Sequence, residues 1–330
     1  MNRQLGGLTC LPKDIARWVF WVQLRRVLNA NRPGHLRWIQ PLHSLLHLFA
    51  GHQRTNMARE LEMWLGPTGI HHIKKAYEIA FRVHLEELIL GDLTTKNWSQ
   101  FMTLSGTEHL DSALSRGKGV VLLTPHAGNI MMMIAALGFS GYSYNQYAAR
   151  GLAPASIAAN HPEQFGVNWW RKEIRSVRES NENRLPARFM TSSTSTREIY
   201  RRLSSNEIVG IAYDGRIGGR FVKVNYLNRL ALLNPGPYRL AATTGATIIP
   251  AFCASPSEGI NTCHLQAGIN GDNPQLLMSR FLHEAAEPWL NEHPAEYGMW
   301  LAHCRVRAAV DDHPLFFDYA VDERWRKHDA

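Results

Sequence analysis

The chain has 330 residues, of which 45% are hydrophobic and 19% are charged, and its formal net charge is +8. This length can bury a large core as one or two domains, and the composition argues against a disordered or low-complexity protein. The four cysteines form no CxxC pair, which argues against a disulfide framework or a structural zinc site and favours a reducing cytosol.

The positive charge is concentrated near the N-terminus. Residues 1–60 contain nine Arg and Lys residues against two acidic residues, an excess of seven. Tryptophans lie among these basic residues, a combination typical of proteins that contact an anionic lipid surface, an acidic protein or nucleic acid. The alternative is a solvated, Arg-rich helical region that packs on the rest of the protein through its aromatic side chains.

No segment of the sequence predicts a membrane-spanning helix. The apolar run from Trp18 to Leu24 is far shorter than the roughly 20 residues that a spanning helix needs, and two arginines follow it. A signal peptide is not expected either, because no small-residue cleavage site follows an apolar stretch. We therefore expect a cytoplasmic protein that is at most peripheral on the inner face of the cell membrane.

Helical periodicity dominates the first part of the chain. An amphipathic helix is predicted over 14–29, and further helices over 36–49, 55–64 and 70–90. We interpret residues 1–104 as a basic helical N-terminal region.

After residue 105, short buried strands alternate with helices. This alternation predicts an α/β domain with a largely parallel sheet over residues 105–330. The predicted elements are strands at 120–123, 208–212 and 246–252, helices at 130–137, 195–203 and 279–290, and a strand-like or irregular closing segment at 296–305.

A histidine directly follows the first of these strands. In the stretch GVVLLTPHAGNIMMM (119–133), the apolar run ends at Thr124, His126 comes next but one, and Gly128-Asn129 open a helix. A histidine on such a loop can take a proton from a hydroxyl or amine, and backbone N–H groups near Gly128-Asn129 can hold an oxyanion. Asp214 also follows a strand, at the sheet edge where ligands of parallel sheets bind. The alternative is a structural histidine.

The stretch GKGVVLLTPHAGNIM resembles the block around the catalytic histidine of the bacterial lipid A late acyltransferases. This lauroyl/myristoyl transferase family is related to the glycerolipid acyltransferases. Similar blocks follow in the family's order, so that the resemblance spans roughly residues 85 to 305. They are Arg150, LPARFM (185–190), EIVGIAYDGR (207–216), NPGPYRLAATTGATIIPAF (234–252) and HPAEYGMWLAHCR (293–305).

The resemblance implies an α/β acyltransferase in which His126 is the general base and Arg150 lies in the active-site region. It also implies an acyl–acyl carrier protein as donor and a lipid A precursor as acceptor. One position departs from the family: Met131 stands five residues after His126, where the family has Glu or Asp. That acid orients the imidazole, which a thioether cannot do.

Three explanations of this departure stay open. The acid is supplied from elsewhere, with Asp214 the first candidate; or the acceptor is a stronger nucleophile, such as an amine or hydroxylamine; or catalysis is lost and binding retained. Met131 and the two methionines after it have flexible apolar side chains, which we expect to pack against a core or an acyl chain.

Other polar residues are candidates for substrate binding. Glycines between Arg216 and Arg220 let the backbone approach a phosphate, although a turn with solvated arginines is the alternative. Arg239 is either a structural ion pair or a contact to the carrier. We expect no cofactor and no metal. The substrate-binding candidates are Thr124, Gly128, Asn129, Met131, Arg216 and Arg239.

The favoured function is acyl transfer from a carrier thioester, on acyl carrier protein or CoA, to a hydroxyl or amine of a lipid or small molecule. Acyl carrier proteins are acidic, so a basic surface would speed their encounter. One alternative is an aminoacyl-tRNA-dependent transferase, which a sequence pI near 9.5 permits but no nucleic-acid motif supports. The other is a non-catalytic binding member of the fold.

Overall fold

A computed structural model describes residues 14–28, 31, 51–148, 168–191, 193–216, 218–256, 259–308, 311 and 313–319. The helix predicted over 36–49 lies outside these residues, and so does Arg150.

The strands of the described residues form a seven-stranded sheet and a separate two-stranded hairpin. The strands are β1 (Met102–Ser105), β2 (Val120–Thr124), β3 (Tyr144–Tyr147), β4 (Arg188–Met190), β5 (Ile208–Ala212), β6 (Val222–Tyr226), β7 (Arg229–Leu233), β8 (Thr247–Ala254) and β9 (Asn261–Leu265).

The large sheet has the order β1-β9-β8-β2-β5-β3-β4, and β6 pairs with β7 in the hairpin. Within the large sheet, neighbouring described strands are parallel except for β8 and β9, which are antiparallel. The predicted α/β class with a largely parallel sheet is therefore confirmed.

Helices surround this sheet and occupy the N-terminal part of the described chain. They are α1 (residues 14–27, with a π turn at Val19–Leu24), α2 (Gly51–Leu65), α3 (Ile73–Leu88), α4 (Thr107–Ser115), α5 (Ile130–Phe139), α6 (Trp169–Glu182), α7 (Thr196–Ser204), α8 (Gly236–Thr244), α9 (residues 274–292, with a π turn at Phe281–Ala286) and α10 (Pro294–Arg307). Of the helices that the structure describes, none combines the length and the apolar character needed to cross a bilayer.

The central strand β2 is buried on both faces, as its continuous apolar run predicts. Val121 and Leu123 pack into one apolar cluster, whereas Val120 and Leu122 pack into another that includes Met132 and other residues of α5. Because successive side chains of a strand point to opposite faces, β2 packs into an apolar cluster on each side of the sheet. This packing holds the end of β2, and with it the start of the loop that carries His126, in one position.

The N-terminal helices contact the C-terminal part of the chain directly. Helices α2 and α3 both pack against α10. The carboxylate of Glu60 in α2 is fully buried and accepts hydrogen bonds from Arg229 on β7, from Arg305 on α10 and from the Tyr319 hydroxyl. A buried charge needs such partners to offset its desolvation. The division between residues 104 and 105 stays a prediction.

The closing segment differs from the sequence-based expectation. Residues 296–305 were expected to be strand-like or irregular, and that prediction is wrong, because α10 covers them. The helix begins at Pro294, a favoured residue for a first turn. Its buried residues Tyr297, Leu301 and Cys304 recur at helical spacing, so packing against α2 and α3 stabilises the helix.

Candidate active site

His126 and Asp214 meet because their strands are parallel neighbours in register. Thr124, the last residue of β2, pairs with Ala212, the last residue of β5. Each candidate residue lies two positions beyond its strand end, at the carboxyl edge of the sheet. The Nδ1 atom of His126 lies 2.6 Å from Oδ1 of Asp214, and the His126 backbone N–H donates to Oδ2 at 2.9 Å.

The carboxylate of Asp214 is fully buried, and both of its oxygens accept hydrogen bonds. In addition to the two bonds from His126, Oδ2 accepts a bond of 2.8 Å from the Tyr297 hydroxyl on α10. Burial, followed by the nearby Asp214 charge, raises the pKa of Tyr297 well above its usual value, so the phenol stays a donor. Three donors thus replace the water that a buried carboxylate loses.

The imidazole of His126 is only partly covered. Its side chain is 34% exposed, and one face stacks on Trp300 with ring centroids 3.7 Å apart and an interplanar angle of 15°. A carboxylate can only accept hydrogen bonds, so the contact with Asp214 places the proton on Nδ1. This tautomer leaves a lone pair on Nε2, which is the state that a general base needs.

Gly128 shapes the loop after His126 through a close backbone contact. Its φ is +62°, and a Cβ at this position would lie 2.2 Å from the carbonyl oxygen of Cys253. Its N–H donates to the carbonyl of Glu296 at 3.3 Å. This N–H is therefore occupied, and an oxyanion donor near Gly128-Asn129, which stays a prediction, has to be another N–H of this turn.

Asn129 caps α5 from a fully buried position. Its Oδ1 accepts from the Met132 N–H at 3.0 Å, and its Nδ2 donates to the Glu86 carboxylate at 2.7 Å. The same Glu86 oxygen accepts from Asn261 on β9 at 2.7 Å, and Arg82 donates to the other oxygen at 2.8 Å. Asn129 therefore holds the His126 loop to a buried polar network.

Three further predicted binding residues lie in different environments. Thr124 is fully buried, and its hydroxyl donates to the Pro125 carbonyl. Met131 is partly buried and packs against the apolar cluster that contains α5. Arg239 is exposed on α8.

Arg216 has a structural role that differs from the predicted phosphate contact. Its Nε and Nη2 atoms donate to the backbone carbonyls of His313 and Leu232, each at 2.9 Å, and its guanidinium lies over the Phe221 ring. Desolvation lowers its pKa. Arg216 thus joins the hairpin to the C-terminal segment.

No sequence pattern pointed to Glu86, Tyr297 or Trp300 as functional residues. The block HPAEYGMWLAHCR does contain Tyr297 and Trp300, but a strand-like interpretation gave no reason for them to act together. On the helix that the structure shows, residues three apart share a face. Among the described residues, no group of three His, Cys, Asp or Glu side chains is arranged to hold a metal ion, and the absence of a metal stays a prediction.

A largely parallel sheet with a hydrogen-bonded His–Asp pair at the carboxyl ends of adjacent strands is an arrangement suited to proton transfer during catalysis. Residues 71–305 match the family described as bacterial lipid A biosynthesis acyltransferase, and the chain belongs to this family of acyltransferases. The predicted family is therefore confirmed.

Two similar curated proteins are phosphatidylinositol mannoside acyltransferases of Mycobacterium tuberculosis, from strains ATCC 25618 / H37Rv and CDC 1551 / Oshkosh. Each is 26% identical to the chain over 211 residues. The alignment spans 60% of this chain and 60% of the length of each relative.

Proposed function

We propose that the protein transfers an acyl group from a carrier thioester to a hydroxyl or amine, with His126 as the general base. The observation that carries the proposal is the 2.6 Å contact between His126 Nδ1 and the buried Asp214 carboxylate. It supports the first of the three explanations for Met131, an orienting acid supplied from elsewhere in the chain. A protein that only binds has no evident need for an imidazole held in this tautomer.

The chemistry balances without a cofactor. His126 Nε2 takes the proton of the acceptor hydroxyl while the oxygen attacks the thioester carbonyl carbon. The resulting tetrahedral oxyanion collapses, the carbon–sulfur bond breaks, and the imidazolium returns its proton to the leaving thiolate. Asp214 stabilises the imidazolium between these steps. Because the Gly128 N–H is occupied, we assign the developing oxyanion to the N-terminal end of α5.

The donor that we favour is an acyl–acyl carrier protein, with acyl-CoA as the alternative. The support is electrostatic, since the carrier protein is acidic and this chain has a net charge of +8. The acceptor that we favour is a lipid, because the two relatives are named for phosphatidylinositol mannoside and the family for lipid A. Arg150 stays a candidate for this active site.

A lipid acceptor requires contact with a membrane, and we propose that α1 and α6 provide it. Val19, Val27 and Trp169 are 48%, 68% and 57% exposed, and Trp18 joins the two helices by a ring contact with Trp169 at 6.0 Å. Exposed basic residues, including Arg26, lie beside these apolar side chains. This composition suits peripheral binding to an anionic leaflet on the inner face of the cell membrane.

Sedimentation with vesicles of phosphatidylcholine and phosphatidylglycerol tests the membrane proposal. The wild type should sediment with anionic vesicles but not with pure phosphatidylcholine, and the double variant Val19→Ser, Trp169→Ser should stay in the supernatant. A double variant that sediments as well as the wild type would exclude this surface as the contact.

An acyl-transfer assay tests the catalytic proposal. Purified protein is given radiolabelled acyl–acyl carrier protein or acyl-CoA with a membrane lipid extract, and labelled lipid and released thiol are measured. His126→Ala should lower the rate at least about 100-fold, as expected for loss of a general base. The matched control is His283→Ala, which removes an exposed histidine 2.6 Å from Glu287. Equal rates in the two variants would reject His126 as the base.

A further inference from the structure

The indole ring of Trp300 stacks on one face of the His126 imidazole. The two ring planes are nearly parallel, with an interplanar angle of 15° and centroids 3.7 Å apart. Trp300 lies on α10, three residues after Tyr297, which donates to Asp214. One helix face therefore contacts both members of the His–Asp pair.

A hydrogen bond at a single ring atom does not fix an imidazole completely. The bond from Nδ1 to Asp214 sets the position of that nitrogen, but the ring can still tilt about the line that joins the two atoms. The flat face of an indole restricts this tilt, because stacking is lost when the planes diverge. The direction of Nε2 then becomes defined, and general-base catalysis depends strongly on that direction.

The N–H group of the indole does not take part in the contact between Trp300 and His126. Its Nε1 is buried and has no hydrogen-bond partner among the described residues. The indole packs against the apolar cluster that contains Val121 and Leu123, and the His303 ring stacks on it with centroids 5.3 Å apart. Trp300 is thus held in place by packing, and what it offers His126 is the face of its ring.

We propose that Trp300 is a positioning residue that holds the His126 imidazole in the plane required for proton transfer. The same face stabilises the imidazolium that forms during the reaction, through the attraction between a cation and an aromatic ring. This inference rests on the proposed function for its catalytic consequence, but the position of the ring can be measured without turnover.

The first measurement is a carbon–proton NMR spectrum of protein labelled with ¹³C at the histidine ring, without substrate. His126 is assigned by the signal that His126→Ala removes. The ring current of Trp300 should shift this signal upfield, Trp300→Leu should abolish the shift, and Trp300→Phe should keep most of it. Trp289→Phe is the matched control, because Trp289 stacks on His293 at 4.4 Å and does not contact the pair.

The second measurement is steady-state acyl transfer by the same proteins. Trp300→Leu should lower kcat by about 10- to 100-fold with KM changed less than about threefold, whereas Trp300→Phe should retain most of kcat. If Trp300→Leu does not fold, Trp300→Met takes its place as an unbranched side chain without a flat ring.

Any one of three results would overturn the inference. The first is an unchanged His126 NMR signal in the variant without a ring, and the second is a kcat within about twofold of wild type in that variant. The third is an equal rise of KM in the Phe and Leu variants, which would make the indole a substrate contact. A wild type that shows the upfield signal but transfers no acyl group would instead reject the proposed function and leave the stacking intact.

Discussion

The carboxylate that holds His126 comes from a residue 88 positions further along the chain. The usual family position for that acid is occupied by Met131, whose side chain packs into an apolar cluster. Asp214 reaches the imidazole because adjacent parallel strands end level with each other. The phenol of Tyr297 and both donors of His126 surround this carboxylate, so its orientation depends on three separate segments of the chain.

Removing the Tyr297 hydroxyl should loosen Asp214 without removing its charge. A hydrogen bond to a charged group contributes about 1.5–3 kcal/mol, and we expect Tyr297→Phe to lower kcat roughly 10-fold in the acyl-transfer assay. Tyr213→Phe is the control, because its buried hydroxyl bonds to Tyr226 at 2.7 Å and not to Asp214. If both variants retain full kcat, Tyr297 does not orient the acid.

At the scale of elements, the start of α5 determines where the His126 loop lies. Asn129 caps the helix and also donates to Glu86, which is buried at the end of α3 that faces the sheet. Glu86 in turn accepts from Asn261 on β9 and pairs with Arg82. A helix from the N-terminal region therefore holds a turn of the α/β domain through one carboxylate.

The variant Asn129→Ala should destabilise the protein by about 2–3 kcal/mol, measured by urea unfolding. It removes a cap, which contributes about 0.5–2 kcal/mol, and leaves a buried carboxylate with fewer partners. Asn273→Ala is the matched control: Asn273 caps α9 by accepting from Gln275 and Leu276, but its contacts are exposed. The control should lose only about 1 kcal/mol, and an equal loss in both variants would show that the Glu86 network adds nothing.

At the scale of the whole molecule, Glu296 links stability to pH. Its carboxyl lies on α10 and accepts from the Ser255 N–H at 2.5 Å. Desolvation raises its pKa to about 8, against the weaker opposing effects of Ser255, Lys75 and Arg82. The folded state therefore keeps a proton that the unfolded chain releases near pH 4.5. The stability from this group is complete below that pH and is lost as the pH rises through about 8.

The variant Glu296→Gln carries a neutral amide in place of the protonated carboxyl. At pH 9 it should be more stable than the wild type by on the order of 2–4 kcal/mol, and near pH 5 the two should be about equal. Thermal and urea unfolding across this pH range measure the difference. Glu292→Gln, an exposed change on α9, is the control. A variant that is less stable than wild type at pH 9 would contradict a neutral buried carboxyl.

The sequence predicted the sheet better than the closing helix, for a physical reason. Strands such as 208–212 are continuous apolar runs between turns, and a parallel sheet buries them on both faces. The helix predicted over 195–203 likewise corresponds to α7, whose first turn Ser195 caps by accepting from the Glu198 N–H. In the segment 296–305, small and polar residues interrupt the apolar pattern that would mark a helix. Its helical structure depends on packing against α2 and α3, which the sequence does not show.

Local sequence patterns predicted one part of the candidate site, whereas the part that depends on tertiary contacts was not predicted. Strand ends indicated that His126 and Asp214 lie at one edge of the sheet, and the structure brings them into contact. No local pattern indicated that α10 would carry Tyr297 and Trp300 to that edge. Nor did any pattern indicate that Gly128 would donate to Glu296, or Asn129 to Glu86. These contacts join residues far apart in the chain, and the periodicity of a segment carries no information about them.

The most direct test of the account is the single-turnover rate of acyl transfer in Asp214→Asn at saturating donor. Asparagine keeps the size of the side chain but removes the charge that selects the Nδ1 tautomer and stabilises the imidazolium. We expect a rate about 10²- to 10⁴-fold below that of the wild type, with donor binding unchanged. A rate within about threefold of the wild type would show that Asp214 does not assist His126.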